Sequence, residues 1–373
     1  MDDLLIKNGV VLDPSQSWQG RADIAFHAGR VAALAPSLDS PARQVVDAAG
    51  ALVVPGLIDL HTHVYWGGTS IGVDPDEVAA RSGCATMVDA GTAGAGNMAG
   101  FHRHIIEPAR VRVLAYLNVS FAGIFAFSRD VMVGECSDVR LLDARACLRA
   151  AEQHADVVVG IKVRVGRIAG GGSGIGPLDV ALEVASELGL PVMAHLDHPP
   201  PSRREVVERL RPGDVLTHCY RPFPNPPLRQ GKEIYDEIRC ARDRGVFMDI
   251  GHGMGSFGFK TARGMLEQGF YPDTISSDVH SLCVDGPAYD LLVTMSKLLS
   301  LGMPLEEVIR ASTFQPARAL RRDELGTLKP GAVGDATLLD IEEGVFMFED
   351  VLGEKIEGNR RFVLRGRVLG GRM

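Results

Sequence analysis

The sequence predicts an α/β protein: a (β/α)8 barrel carrying a small β-sandwich-like domain built from the N- and C-terminal segments. Three observations lead there. Apolar strand-like runs alternate with helix-like segments through the middle of the chain. Short strand-like segments crowd both ends. Residues able to ligate a metal recur where the middle strands finish.

Residues 1–54 hold the apolar segments Leu4–Ile6, Gly9–Leu12, Ala22–Phe26 and Arg30–Leu34, separated by turn residues such as Asp13-Pro14 and Ala28-Gly29. They read as short antiparallel strands. The end of the chain has the same texture at Ala336–Asp340, Gly344–Phe348 and Arg361–Leu364. One β domain is therefore expected from 1–54 and 319–373, with 55–318 forming the barrel. Its eight strands are expected near Leu52–Leu60, Ala85–Ala90, Val111–Val119, Val157–Val163, Pro191–His195, Val215–His218, Val246–Ile250 and Thr274–Ser277. Helices are expected at Pro75–Ser82, Arg140–His154, Leu178–Leu188, Ser202–Leu210, Glu233–Arg244, Thr261–Gln268 and Tyr289–Leu301. Continuous apolar strands alternating with helices suit a parallel sheet covered on both faces. A doubly wound open sheet is the alternative, but no Gly-x-Gly-x-x-Gly opens a helix after the first strand.

The 373 residues are 46% hydrophobic and 23% charged, which suits a soluble globular chain. A net charge of -8 and a pI near 5.8 speak against a nucleic-acid partner, as does the lack of basic clusters interleaved with aromatics. Met1-Asp2-Asp3 has no basic n-region leading into an apolar h-region, and no apolar run reaches about 20 residues. The six cysteines form no Cys-x-x-Cys pair and read as reduced thiols. The expectation is a cytoplasmic protein with a small-molecule substrate and no membrane contact. A homo-oligomer is expected, although no heptad run locates its interface.

Active sites of such barrels lie at the C-terminal ends of the strands. The first strand ends in His61-Thr62-His63, and side chains at i and i+2 of a strand share a face. Two imidazoles aimed at one point suit a metal ion; two ordinary strand-end histidines are the plainer reading. Strand four carries Lys162 inside an apolar run. A buried lysine must be neutral, paired or modified, unless its amine snorkels out at the strand end. Strand five ends at His195, strand six at His218 and strand eight at Asp278, which could also merely cap the next segment. The order His-x-His, Lys, His, His, Asp over five strand ends is the pattern that demands an explanation.

That pattern resembles the amidohydrolase superfamily, within its dihydroorotase, hydantoinase and deacetylase branch. The resemblance covers nearly the whole chain: Pro55-Gly56-Leu57-Ile58-Asp59 running into His61-Thr62-His63, then Ser312–Arg318, Gly326–Gly331 and Gly334-Asp335-Ala336. Gln315 departs from the usual Asn. The resemblance implies two divalent metal ions, commonly zinc. His61, His63 and Asp278 would hold one, and His195 and His218 the other, with Lys162 as a bridging carbamate. It also implies hydrolysis of an amide or ester by a metal-bridging hydroxide, with Asp278 as general base and then acid.

Many dihydroorotases carry Arg two residues after the second His, where this chain has Tyr65. Tyr65 could donate to an oxyanion or simply pack at the mouth. Arg164, two residues past Lys162, would share its face and anchor a substrate carboxylate, or pair with a loop carboxylate. His280 and His252 are candidate pocket residues, as are Asp197 and His198. Gly170–Gly176 is expected to be a mobile loop over the site. The resemblance favours deacetylation of small N- or O-acetylated α-amino or α-hydroxy acids. Cyclic amide hydrolysis is the alternative, and a non-catalytic structural relative is the contrasting class.

Overall fold

A computed structural model describes residues 1–373. Its first strand, β1 (Asp2–Asp13), is continuous where the sequence suggested two. A bulge between Ile6 and Gly9, with Asn8 at φ 60°, joins the halves. One edge of β1 pairs antiparallel with β2 (Trp18–His27), which continues into β3 (Arg30–Ala35). The other edge corrects the antiparallel expectation. Its first half takes β4 (Ala42–Asp47) and its second half takes β5 (Leu52–Pro55), both parallel. A long strand bent by a bulge has room for two neighbours along one side.

The run Leu52–Leu60 is likewise not one strand. β5 stays in the terminal sheet, and β6 (Leu57–Thr62) opens the barrel. Between them, a Cβ at Gly56 would lie 2.6 Å from Asp335 Cβ and 2.7 Å from Ala85 Cβ, so only bare backbone makes this crossing. The barrel continues through β7 (Cys84–Gly94), β8 (Arg112–Asn118), β9 (Val158–Val165), β10 (Val192–Leu196) and β11 (Val215–Leu216). A small hairpin, β12 (Leu228–Arg229) and β13 (Glu233–Ile234), lies outside it, and β14 (Phe247–Met248) follows. From β6 to β14 the barrel strands are parallel neighbours in chain order.

The eighth position is the segment 274–279, which closes the barrel without a regular ladder. Thr274 bridges Asp249 on one side and Val279 bridges Thr62 on the other. Backbone bonds such as Gly253 N to Ser277 O and Asp278 N to His61 O join it to both neighbours, and side chains add more. Thr274 and Ser276 hydroxyls donate to Asp249 at 2.7 and 2.8 Å, and the Ser277 hydroxyl and amide donate to Asp59 at 2.5 and 2.9 Å.

The expected barrel helices are present, from Pro75–Ser82, which matches at both ends, to Leu291–Ser300; Gly176–Leu188 starts earlier than expected and Phe259–Leu266 is shifted toward the N-terminus. Asp74 and Asp290 cap Pro75–Ser82 and Leu291–Ser300 by accepting from amides of their first turns. Ser202 and Glu205 form a reciprocal capping box on Arg203–Arg209. The glycine-rich stretch is not an open loop. Arg167–Gly170 and Gly171–Ser173 make short helical turns that lead into the helix Gly176–Leu188.

Three short strands were expected at the end of the chain, but two long ones form: β15 (Ala336–Glu349) and β16 (Lys355–Val368). A register shift between Glu343 and Phe346 absorbs the Gly344 region without ending β15. β15 pairs antiparallel with β5, so both termini share a seven-stranded mixed sheet. The far end of this hairpin reaches the helix Leu291–Ser300, where the Phe362 amide donates to Ser296 Oγ at 3.0 Å. Below the strand ends, Ile58, Leu60, Val88, Leu114, Tyr116 and Met193 fill the barrel interior. No helix is long and apolar enough to cross a membrane.

Candidate active site

The C-terminal strand ends open into a cavity of about 230 Å³, whose wall includes His61, His63, Lys162, Arg164, His195, His218, Asp278 and His280. His61 and His63 stand with ring centroids 5.4 Å apart, and His61 and His218 are 5.1 Å apart. Asp278 Oδ1 lies 3.3 Å from His61 Nε2 and 3.1 Å from His63 Nε2. Lys162 Nζ lies 3.5 Å from His61 Nε2. Ligand atoms of His61, His218 and Asp278 all fall within 4.8 Å of one another.

The ring orientations are set from behind. Thr217 Oγ1 donates to Asp249 Oδ2 at 2.7 Å, so its oxygen is left to accept from His61 Nδ1 at 2.8 Å. The His61 proton therefore sits on Nδ1, and the Nε2 lone pair faces the cavity. His63 Nδ1 meets Thr92 Oγ1 at 2.7 Å, and Thr92 in turn hydrogen-bonds Asp89. His218 Nδ1 donates to the Gly251 carbonyl at 2.7 Å, which frees its Nε2 as well. His195 Nε2 is buried with no protein partner.

Burial sets the charge states. It pushes His61, His195 and His218 well below the usual histidine range, with the Lys162 charge adding to the effect at His61 and His218 and the neighbouring His218 at His195. His63 is lowered to about 3, again by burial first. Lys162 is lowered to about 7 by burial and by Arg164, against the pull of Asp278. Asp278 is raised to about 6 by burial, opposed by His280, Lys162 and Arg164. Neutral imidazoles with free Nε2 lone pairs, one carboxylate and a near-neutral amine form a donor set that fits divalent metal ions.

Asp278 depends on Gly253. Asp278 has φ 49°, and a Cβ on Gly253, itself at φ 54°, would sit 2.2 Å from Asp278 Oδ2. Asp197 and His198 also reach the cavity wall. The Asp197 carboxylate is occupied by the amides of Ile168 and Ala169, at 3.1 and 2.9 Å. His280 Nδ1 accepts the Leu282 amide at 3.2 Å.

Two expected pocket residues point elsewhere. Tyr65 packs against Phe101, with ring centroids 4.7 Å apart, and its hydroxyl donates to the Asn97 carbonyl at 3.3 Å. His252 stacks on Phe257 at 4.7 Å and accepts from Lys297 Nζ at 2.8 Å. Lys297 donates further to the Pro287 and Glu349 carbonyls at 2.6 and 2.7 Å, so three acceptors meet its three protons. In Gly251-His252-Gly253 the flanking glycines, not the histidine, touch the site residues. Arg164 forms the loop-carboxylate pair that was one of its two readings. It lines the cavity, and its Nη1 donates to buried Glu135 at 3.2 Å while its guanidinium lies 5.0 Å from the Phe127 centroid.

The sequence reading missed Thr92, Thr217, Asp249, Glu135 and Arg221. Thr217 beside His218 was the one local cue. Glu135 and Phe127 arrive on the loop after β8, whose turn residues mark it as a loop without placing it over the mouth.

A sequence profile described as the amidohydrolase family matches residues 52–364. A deacetylase of Agrobacterium fabrum is 37% identical over 343 residues, covering 92% of this chain and 84% of its own. A crystal structure described as an adenine deaminase superposes with a TM-score of 0.93 at 32% identity, covering 100% of this chain and 99% of its own. One described as a dihydroorotase gives 0.91 at 34% identity, with 100% and 97% covered.

Proposed function

Because this chain belongs to the amidohydrolase family, we propose that it is a metal-dependent deacetylase of small N- or O-acetylated α-amino or α-hydroxy acids. The observation that carries this reading is the donor set at the cavity floor: four neutral histidines, Lys162 and Asp278 converge beside guanidinium groups. The deacetylase-named relative along most of the chain supports the acyl chemistry.

In this reading His61, His63 and Asp278 would hold one divalent ion and His195 and His218 a second, with Lys162 as a shared ligand; zinc would suit the nitrogen-rich set. When bound, such ions lower the pKa of water and polarise an acyl carbonyl. Lys162, as the free amine, attacks carbon dioxide; the new N–C bond gives a carbamate and one proton leaves to solvent. Asp278 takes the proton of the attacking water on its carboxylate and returns it to the departing nitrogen or oxygen as the acyl C–N or C–O bond breaks. Arg164, braced by Glu135, keeps positive charge near the substrate. We place the enzyme in the cytoplasm as a homo-oligomer.

Hydrolysis of a cyclic amide is the second reading, favoured by the structural neighbour described as a dihydroorotase. An assay decides between them: the zinc-loaded protein is offered N-acetyl and O-acetyl α-acids, dihydroorotate, hydantoins and adenine. Acid release from the acyclic acetyl compounds is expected. Turnover of the rings alone would reject the deacetylase reading.

A further inference from the structure

Arg221 follows His218 by three residues and stands on the same cavity wall. It is 9% exposed, and its Nε and Nη1 are buried with no acceptor supplied by the protein. The neighbouring cationic group is provided for: Arg164 has Glu135 as a partner and Phe127 against its face. The carboxylate with the strongest pull on Arg221, Asp197, is taken up by the Ile168 and Ala169 amides and forms no ion pair with it. Burial lowers Arg221 only to about 10, so it keeps its charge at neutral pH. A buried guanidinium with unmet donors is costly unless a ligand completes it, and its planar fork matches a carboxylate.

We propose that Arg221, rather than Arg164, is the residue that receives the α-carboxylate of the substrate. Arg164 then acts as a fixed wall, held by the Nη1 bond to Glu135 and by Phe127 against its face. This assignment rests on the deacetylase reading for the identity of the substrate, but not for the anion site itself. His198 Nδ1, also buried without a partner, lies on the same wall and is available to the anion's second oxygen. The carboxylate thus becomes a specificity element: the enzyme selects acids over their neutral carboxamides.

The test uses the full-length zinc-loaded protein with Arg221→Met and Arg221→Lys. Two readouts are taken: the ratio of kcat/KM for an O-acetyl α-hydroxy acid to that for its carboxamide, and calorimetric binding of lactate as a product-like carboxylate. Arg221→Met is expected to collapse the acid-over-amide preference by about a hundredfold and to abolish lactate binding. Arg221→Lys, which keeps the charge and loses the fork, should fall between and serves as the readout if the Met variant does not fold. An equal loss on acid and amide, or unchanged lactate affinity in the folded variant, overturns the assignment. If the wild type cleaves none of the acetyl compounds, the functional reading fails, while Arg221-dependent lactate binding still upholds the anion site.

Discussion

Asp278 has the most demanding position of any residue in the site. It is buried among three imidazoles at a left-handed backbone position, with Gly253 leaving room for its carboxylate. The role proposed for it requires the ionised form. Burial holds its pKa at about 6 against the pull of His280, Lys162 and Arg164, and a bound metal ion would lower it. Activity should therefore rise with pH through a limb centred no higher than about 6, as the carboxyl loses its proton. Asp278→Asn should cost on the order of 10²- to 10⁴-fold in kcat at all pH values. A pH profile of kcat/KM on both proteins checks this; a limb centred well above 6 would assign the titration to another group. At this scale much of the candidate site was legible from sequence, because His61, His63, His195, His218 and Asp278 fall at strand ends and Lys162 interrupts an apolar strand. Arg221 was not legible. What distinguishes it is the absence of a partner, and partners arise only in the folded molecule.

Among the elements, the eighth barrel segment pairs irregularly through its backbone and adds side-chain bonds to both neighbouring strands. Its position was readable as the apolar stretch ending at Ser277. Its irregularity was not, because serines and a threonine read as ordinary strand-end polarity. In the fold they reinforce the backbone bonds: Thr274 and Ser276 bind Asp249, and Ser277 binds Asp59. Ser277→Ala leaves Asp59, already raised to about 7 by burial, short of a donor. The expected loss is about 2 kcal/mol of unfolding free energy, measured by urea titration of the metal-free protein. A change below 0.5 kcal/mol would show that backbone pairing alone holds the segment. The same carboxylates orient site residues, since Asp249 also fixes Thr217 behind His61. Loosening the barrel seam should therefore disturb the proposed metal ligands before it unfolds the barrel.

For the whole molecule, sequence texture at the two ends announced a shared β region but not its connectivity. Pairing between β5 and β15 depends on residues separated by most of the chain, and no local pattern encodes such a register. The union is held at several points. Leu57 N donates to Thr337 Oγ1 across 280 positions, Leu328 N to Asp13 Oδ2 across 315, and Arg112 pairs with Asp335 at 2.5 Å. A chain ending at residue 335 would keep every proposed metal ligand and lose β15 and β16. It should nonetheless fail to give a cooperative melting transition and partition to the insoluble fraction. A soluble, cooperatively folding product would mean that the barrel stands alone.

The edge of β5 that β15 covers has a further meaning during synthesis. The first five strands leave the ribosome long before their last partner has been translated, and β5 waits with one row of amides and carbonyls unclaimed. A nascent chain in that state is a template for the wrong strand, whether its own or a neighbour's on the same polysome. The pace at which the final residues arrive, and any holdase that shields the exposed edge meanwhile, would then set the yield of active protein.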